Sequence, residues 1–363
     1  MGKQDGMTYA PKGKPNQVVQ PGEFLFAAIA LDHGHIYGMC NGLIEAGGTL
    51  AAVYDPDPER VARFTDAYPS VRVASSENEI LTDSSIHLIA AAAIPSERAN
   101  LGIRSMEAGK DYFTDKTPFT SLEQLELAKA AVKRTGRKYM VYFSERLHVE
   151  SAVYAGELIS NGAIGDVIQV TGFGPHRLQA DNRPEWFFQK DNYGGILCDI
   201  GSHQIEQFLF YAGCSDAQIL QSKVANYANP SFPELEDYGD ATLVGNTGAT
   251  QFFKVDWHTP DGLSTWGDGR TFITGTKGTI ELRKYVDVAR EKSGDHLYLV
   301  NQDGEHHLSL QGKVGYPFFG ELILDCIHRT ERAMTQAHAF KAAELCLLAQ
   351  QQAVHLTSRE NVR

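Results

Sequence analysis

Seven apolar residues in succession, FLFAAIA at 24–30, do most to limit what this chain can fold into. A run of strand length with no polar face suits a central parallel strand covered on both sides. The polar turn Asp32-His33-Gly34-His35 follows, and then Ile36, Met39, Cys40, Leu43 and Ile44 recur at helical spacing until Gly47-Gly48. Residues 49–54 read as a second buried strand, closed by Asp55. A βαβ unit with an acidic residue about twenty positions after its turn has the layout of a dinucleotide site. In the G-x-G-x-x-G register, glycine is expected at 32, 34 and 37, and only Gly34 is present. The helix start, His33 to Ile36, is expected to receive a diphosphate, with Asp32 as a cap and the His33 and His35 side chains as added donors. Asp55 is expected to accept from a ribose diol and to repel a 2′-phosphate, which favours NAD over NADP.

Strand-like and helix-like stretches then alternate to residue 143, which predicts an α/β fold with a doubly wound parallel Rossmann sheet. Ligands bind beyond the carboxyl ends of such strands, so Asp55, Ile94, Pro95, Asp115, Lys116 and Arg146 are placed around one crevice. Before this domain, residues 1–23 carry Pro, Gly and Lys without periodicity and read as an extended arm. After it, strands follow one another with short turns such as Lys277-Gly278 and Asp303-Gly304. That predicts a C-terminal α+β domain with a large, mostly antiparallel open sheet, closed by helices near 318–332 and 337–358. The expected boundaries are therefore an arm at 1–23, a Rossmann domain at 24–146 and an α+β domain at 147–363.

Within the second domain, residues 193–208 (YGGILCDIGSHQIEQF) carry the clearest chemistry. Two glycines release the chain, and Ile196, Leu197, Ile200, Ile205 and Phe208 then mark a largely buried helix. Asp199 and His203 stand four residues apart, so an acid and a titratable base leave one face about a turn from each other. The competing reading is an Asp and a His bonded only to each other at a helix surface. The preceding loop offers His176, Arg183 and Trp186, residue types that stack on and hydrogen-bond to a sugar; packing on the sheet explains them equally well.

A formal charge of -12 with scattered Arg and Lys argues against nucleic acid or an anionic membrane as partner. Five cysteines without CxxC spacing read as small buried hydrophobes in a reducing compartment, so no metal site is expected and the cytoplasm is the expected location. His33 and His35 are of metal-binding type but lie at the phosphate end of the expected cofactor.

Three stretches together resemble the Gfo/Idh/MocA family, named for glucose-fructose oxidoreductase and inositol dehydrogenase. Residues 55–60 (DPDPER) are similar to its acidic stretch after the second strand, and 112–118 (YFTDKTP) resemble its E-K-P motif. Residues 194–203 (GGILCDIGSH) are very like its G-G-G-x-L-x-D-x-G-x-H signature. Asp115 stands in place of the usual Glu, Thr117 separates Lys116 from Pro118, and Glu206 replaces a common Asp. The resemblance implies NAD-dependent hydride transfer at a secondary hydroxyl of a sugar, glycoside or cyclitol, and a homo-oligomer built on the broad sheet. It assigns Lys116 to substrate hydroxyl and nicotinamide, Asp199 to the catalytic carboxylate and His203 to the base. An imidazole with an ordinary pKa near ~6.5 suits that role at neutral pH, and an ammonium stabilises a developing alkoxide. Two alternatives stand beside it: a redox-neutral NAD-dependent glycosidase of the same family, and a non-catalytic dinucleotide sensor.

Overall fold

The computed structural model describes residues 5–356, so residues 1–4 of the expected arm and the last two positions of the expected helix 337–358 lie outside it. The chain divides into two compact units. Of the described residues, one unit holds Met7–Tyr142 and Gly315–Phe340, and the other residues 5–6, Phe143–Val314 and residues 341–356.

In the first unit, β1 (Leu25–Ile29), β2 (Thr49–Tyr54), β3 (Arg72–Val73), β4 (Leu88–Ala91), β5 (Asp111–Asp115) and β6 (Tyr139–Tyr142) form one parallel sheet in the order β3-β2-β1-β4-β5-β6. The connections are α1 (His35–Glu45), α2 (Pro58–Ala67), α3 (Glu77–Thr82), α4 (Pro95–Glu107) and α5 (Leu122–Thr135). The doubly wound sheet follows from the sequence pattern, since Phe26, Ala27 and Ala28 of β1 are wholly buried. Helix starts are set by side-chain caps: Asp57 accepts from the amide of Glu59, Ser76 from Glu79 and Ser121 from Gln124.

Two further segments belong to this unit. The arm pairs with the end of α1, where the amides of Asn16 and Val18 donate to the carbonyls of Glu45 (3.1 Å) and Ala46 (2.9 Å). Further on, α11 (Pro317–His328), which the sequence places with the second domain, packs here instead. The Phe318 and Phe319 rings lie 5.8 and 6.3 Å from that of Phe113. Gly42 admits the second ring, because a Cβ there would stand 2.4 Å from it.

The second unit begins with α6 (Ser144–Leu147), α7 (Glu150–Ser160) and β7 (Val167–Pro175). Next come α8 (Lys190–Tyr193), α9 (Ile196–Asp199) and α10 (Gly201–Tyr211), then β8 (Ala217–Ala225), β9 (Tyr238–Gly245), β10 (Thr250–Asp256), β11 (Arg270–Gly275), β12 (Thr279–Arg283), β13 (His296–Asn301) and β14 (Gly304–Ser309). After α12 (Gln336–Gln351), β15 (Val354–Leu356) completes a nine-stranded sheet in the order β14-β13-β12-β11-β7-β10-β9-β8-β15. Most neighbours are antiparallel; β7 with β10 and β8 with β15 are parallel. The final helix ends earlier than the sequence suggests, because the apolar spacing changes to the alternation Val354, Leu356 and that segment joins the sheet beside β8.

The single helix expected after the two glycines, over 196–208, is divided into α9 and α10. Gly194 (φ 87°) and Gly195 (φ 91°) adopt backbone that only glycine takes without strain, and a Cβ on Gly195 would stand 2.3 Å from the Gln350 side chain. Among the described residues, no helix is long and apolar enough to cross a membrane, and all five cysteines are buried and unbridged.

Candidate functional site

At the end of β1 the chain turns at Ala30, a non-glycine residue with φ 59°. The left-handed position that a dinucleotide fold fills with glycine therefore falls two residues earlier than the sequence suggests, at a cost of about 1 kcal/mol for alanine. Counted from Ala30, the other two glycine positions are Asp32 and His35, not 34 and 37. Gly34 instead precedes α1, and a Cβ on it would lie 2.3 Å from the carbonyl oxygen of Met7 in the arm.

The amides at the start of α1 are largely engaged. His35 N–H donates to Nδ1 of His33 (3.3 Å), Ile36 N–H to the His33 carbonyl and Tyr37 N–H to the Gly34 carbonyl, both at 3.2 Å. Asp55 is 5% exposed at the end of β2, with Oδ2 accepting from Leu31 N–H (2.6 Å) and Oδ1 from Asp57 N–H (2.8 Å). A carboxylate has about four lone-pair sites, so this one keeps capacity for a ribose diol. Arg60 bonds to Asp32 and stands 3.6 Å from Asp55 and 3.4 Å from Asp57. Burial raises the Asp32 pKa and Arg60 opposes it.

His33, His35 and Asp115 converge, as the sequence could not show. Oδ1 of Asp115 meets Nδ1 of His35 (2.9 Å) and its own neighbour's amide, Lys116 N–H (2.8 Å). Oδ2 meets Nδ1 of His33 (3.2 Å) and Nη2 of Arg98 (3.4 Å). Burial alone would raise the Asp115 pKa, but His35, Arg98 and His33 hold it well below the carboxylate range. Burial, and then His35, push His33 well below its ordinary value. Three groups of metal-ligating type lie within 4.8 Å of one another here. Arg98 stands on the same carboxylate, so the cluster is a buried hydrogen-bonded hub. Arg98 also donates to the carbonyls of Ala93 (2.7 Å) and Thr117 (3.1 Å), which fixes the loop carrying Lys116 and the one carrying Ile94 and Pro95. Lys116 itself is 6% exposed.

In the second unit, the start of α9 is held by side chains. Ile196 N–H donates to Glu236 (2.9 Å), Leu197 N–H to Gln350 (3.1 Å), and Gln350 donates to Glu236 at 3.0 Å. Asp199 ends α9 and His203 lies in the first turn of α10, 9% and 1% exposed. Arg183 is packed over the rings of Phe187 (4.5 Å) and Trp257 (4.9 Å) and donates to Asp5 at 2.8 Å. Burial lowers the Arg183 pKa, while Asp5 and Asp199 raise it, so Arg183 lies in the field of Asp199. His176 stacks obliquely on Trp266 at 4.4 Å, and the Trp186 indole is buried among neighbours that include Phe187.

Arg146 does not pair with Glu145, the partner its sequence neighbourhood offers. It donates through Nε to Glu206 (2.7 Å) and lies 3.9 Å over the Phe210 ring. Glu145 binds Lys284 instead, at 2.8 Å, and Lys284 is 1% exposed. Sequence reasoning missed Arg98 and Lys284, although each left a signal. Arg98 shares a helix face with the buried Leu101 and Ser105, and Lys284 continues the inward alternation of Ile280 and Leu282.

The oxidoreductase family described as having an NAD-binding Rossmann fold matches residues 29–143, and the GFO/IDH/MocA C-terminal domain matches 153–281. The scyllo-inositol 2-dehydrogenase (NAD(+)) of Bacillus subtilis is 26% identical over 240 residues, 64% of this chain and 66% of that protein. The uncharacterized oxidoreductase YrbE of the same organism is 26% identical over 235 residues, so the matched part spans 63% of this chain and only 65% of that relative. A crystal structure from Erwinia carotovora atroseptica, provisionally described as an oxidoreductase, superposes with TM-score 0.89 at 53% identity, covering 92% of this chain and all of that one (100%). Levoglucosan dehydrogenase in complex with NADH shares the fold, with TM-score 0.75 at 18% identity over 91% of this chain and 96% of that chain.

Proposed function

This chain belongs to the GFO/IDH/MocA oxidoreductase family, and on that premise we propose that it moves hydride between NAD and a hydroxyl-bearing carbon of a sugar, glycoside or cyclitol. The observation that carries the reading is the α9–α10 junction, where Asp199 and His203 are buried one helical turn apart with Arg183 in the field of Asp199. An acid, a base and a fixed cation are what alcohol oxidation requires of the protein.

The retained acceptor capacity of Asp55 fits a dinucleotide ribose, and its charge disfavours a 2′-phosphate. Asp55 and the loop at Ile94 and Pro95 would hold the adenosine half, and Lys116 would lie toward the nicotinamide. NAD supplies the hydride acceptor when bound. His203 takes the hydroxyl proton as the carbon is oxidised, and Asp199 orients the hydroxyl and offsets the imidazolium charge. The Lys116 ammonium stabilises the developing alkoxide, which lowers the barrier to deprotonation. His176, Arg183 and Trp186 line the substrate side in this proposal. Arg146, whose guanidinium is committed to Glu206, is assigned to the framework.

Self-association through the broad sheet is part of the same proposal. Phe252 and Phe272, each 37% exposed, flank Thr171 in one cross-strand row, an apolar strip on the outer face. A light-scattering mass equal to one chain contradicts it.

The test is a panel of sugars and cyclitols offered to the purified protein with NAD, read at the nicotinamide absorbance. Lys116→Ala and His203→Ala are expected to abolish turnover on the substrate so found while leaving the fold intact. Near-wild-type rates in both variants reject the assignment. Sugar release without net NADH, in the absence of added NAD, would identify a glycosidase instead.

A further inference from the structure

Beneath His203 lies a charged pair that the dehydrogenase reading does not use. Glu145, on α6, is 1% exposed; its Oε2 accepts from Lys284 Nζ at 2.8 Å and from Gln204 Nε2 at 3.0 Å. Gln204 directly follows His203 on α10, and two glycines of β7 make room for it. A Cβ on Gly172 would stand 2.1 Å from Gln204 Oε1, and one on Gly174 would stand 3.1 Å from Nε2. The other oxygen, Oε1, is buried without a hydrogen-bond partner among the described residues.

Stability does not explain this arrangement. A buried ion pair is often no more stabilising than a hydrophobic pair of the same size, and an unbonded carboxylate oxygen adds a desolvation cost of about 1–3 kcal/mol. Burial on its own would raise the Glu145 pKa; Lys284, then the imidazoles of His203 and His176, hold it at about 2. The carboxylate is therefore ionised and lies in the field of those two rings.

Other charged groups on neighbouring elements are matched in pairs. Arg146 of α6 is bonded to Glu206 of α10, and Arg183 to Asp5, with Asp199 of α9 in its field. Lys284, beyond β12, is bonded to Glu145 itself. His176, beyond β7, turns Nδ1 to the Gly174 carbonyl at 3.2 Å.

Resting on the dehydrogenase reading, we propose that Glu145 is a positioning residue for His203: its unbonded oxygen stabilises the imidazolium formed when His203 takes the hydroxyl proton, and Lys284 and Gln204 hold it there. No covalent step is involved. The proton stays on His203 until it leaves for solvent, and Glu145 remains a carboxylate throughout. Removing its charge makes His203 a weaker base.

The test needs no substrate. The protein is labelled with nitrogen-15 histidine and the His203 signal, identified by its loss in His203→Asn, is titrated by NMR. Glu145→Gln is expected to lower the His203 midpoint by about 1–3 pH units, the effect of one opposite charge at close range. Glu145→Gln alone strands Lys284, so the neutral pair Glu145→Gln with Lys284→Met carries the decision if the single variant unfolds. It should melt near the wild-type temperature and show a midpoint lowered by less than in the single variant, because the Lys284 cation is removed together with the carboxylate. A wild-type midpoint in the folded double variant overturns the proposal, as does a wild-type His203 that stays neutral from about pH 5 to about pH 9. Failure of the dehydrogenase reading shows separately, as a panel in which no compound reduces NAD.

Discussion

His35 turns Nδ1 onto Oδ1 of Asp115 at 2.9 Å, which joins the first turn of α1 to the end of β5. Arg98 lies on the opposite oxygen and is 1% exposed, so the carboxylate cannot be neutralised without stranding a guanidinium in the core. Asp115→Asn is therefore expected to cost about 3 kcal/mol in urea unfolding at neutral pH, the scale for breaking a buried pair from one side. The sign with pH follows from the depressed pKa of the folded carboxyl. Its stabilisation is present above the unfolded carboxylate pKa of about 4 and is lost as pH falls below that value. Variant and wild type should converge in acid; a constant gap would sink the account.

Asp55, Asp32 and Asp57 surround the guanidinium of Arg60, which leaves an acidic excess that, on the proposed placement of the cofactor ribose, opposes a 2′-phosphate. Asp55→Ala is expected to narrow the preference for NAD over NADP by about tenfold, or ~1.4 kcal/mol. Nicotinamide fluorescence titrations with both reduced cofactors measure it. An unchanged affinity ratio would remove Asp55 from the ribose contact.

Arg146 ends the first unit's crevice in sequence but serves the core of the second unit in space. Its carboxylate partner, Glu206, is wholly buried, so Glu206→Ala leaves a cation over the Phe210 ring with nothing to balance it. A loss of about 3–5 kcal/mol in denaturant is expected. Intact stability combined with a raised KM would return Arg146 to the substrate side.

What could be read in advance follows from how local each signal is. The run at residues 24–30 and the alternation after it are local, and the parallel sheet follows from them. Asp199 and His203 are legible as a pair because only four positions separate them, but the break between α9 and α10, which leaves one on each helix, has no such local signal. Ala30 was not legible, since an alanine in left-handed backbone has no propensity to announce it; surrounding strands impose the turn, with Ala30 bonded to Tyr54 on one side and Ala92 on the other. The hub at Asp115 and the pair at Glu145 join residues 80 and 139 positions apart, respectively, through His35 and Lys284, and nothing local specifies such partners. The placement of α11 depends in the same way on aromatic rings finding the space at Gly42.

Asp295 offers a test in which a charge is removed at a gain. It is 7% exposed, adopts left-handed backbone (φ 56°) and accepts from Ser151 N–H at 2.8 Å. Burial pushes its pKa up to about 6; the Ser151 contact opposes the rise and Glu150 adds to it. A folded pKa above the unfolded value means that stability is fully present below about pH 4 and is lost as pH rises through about 6. Asparagine has nearly the same shape, tolerates left-handed backbone and keeps an oxygen for Ser151. Asp295→Asn should therefore leave stability unchanged in acid and raise it near pH 8 by at most about 3 kcal/mol, two pKa units at ~1.4 kcal/mol each. Denaturant midpoints across that range decide the matter. A gain that persists at low pH, or none at high pH, would show that the Asp295 carboxylate is not the strained charge its surroundings indicate.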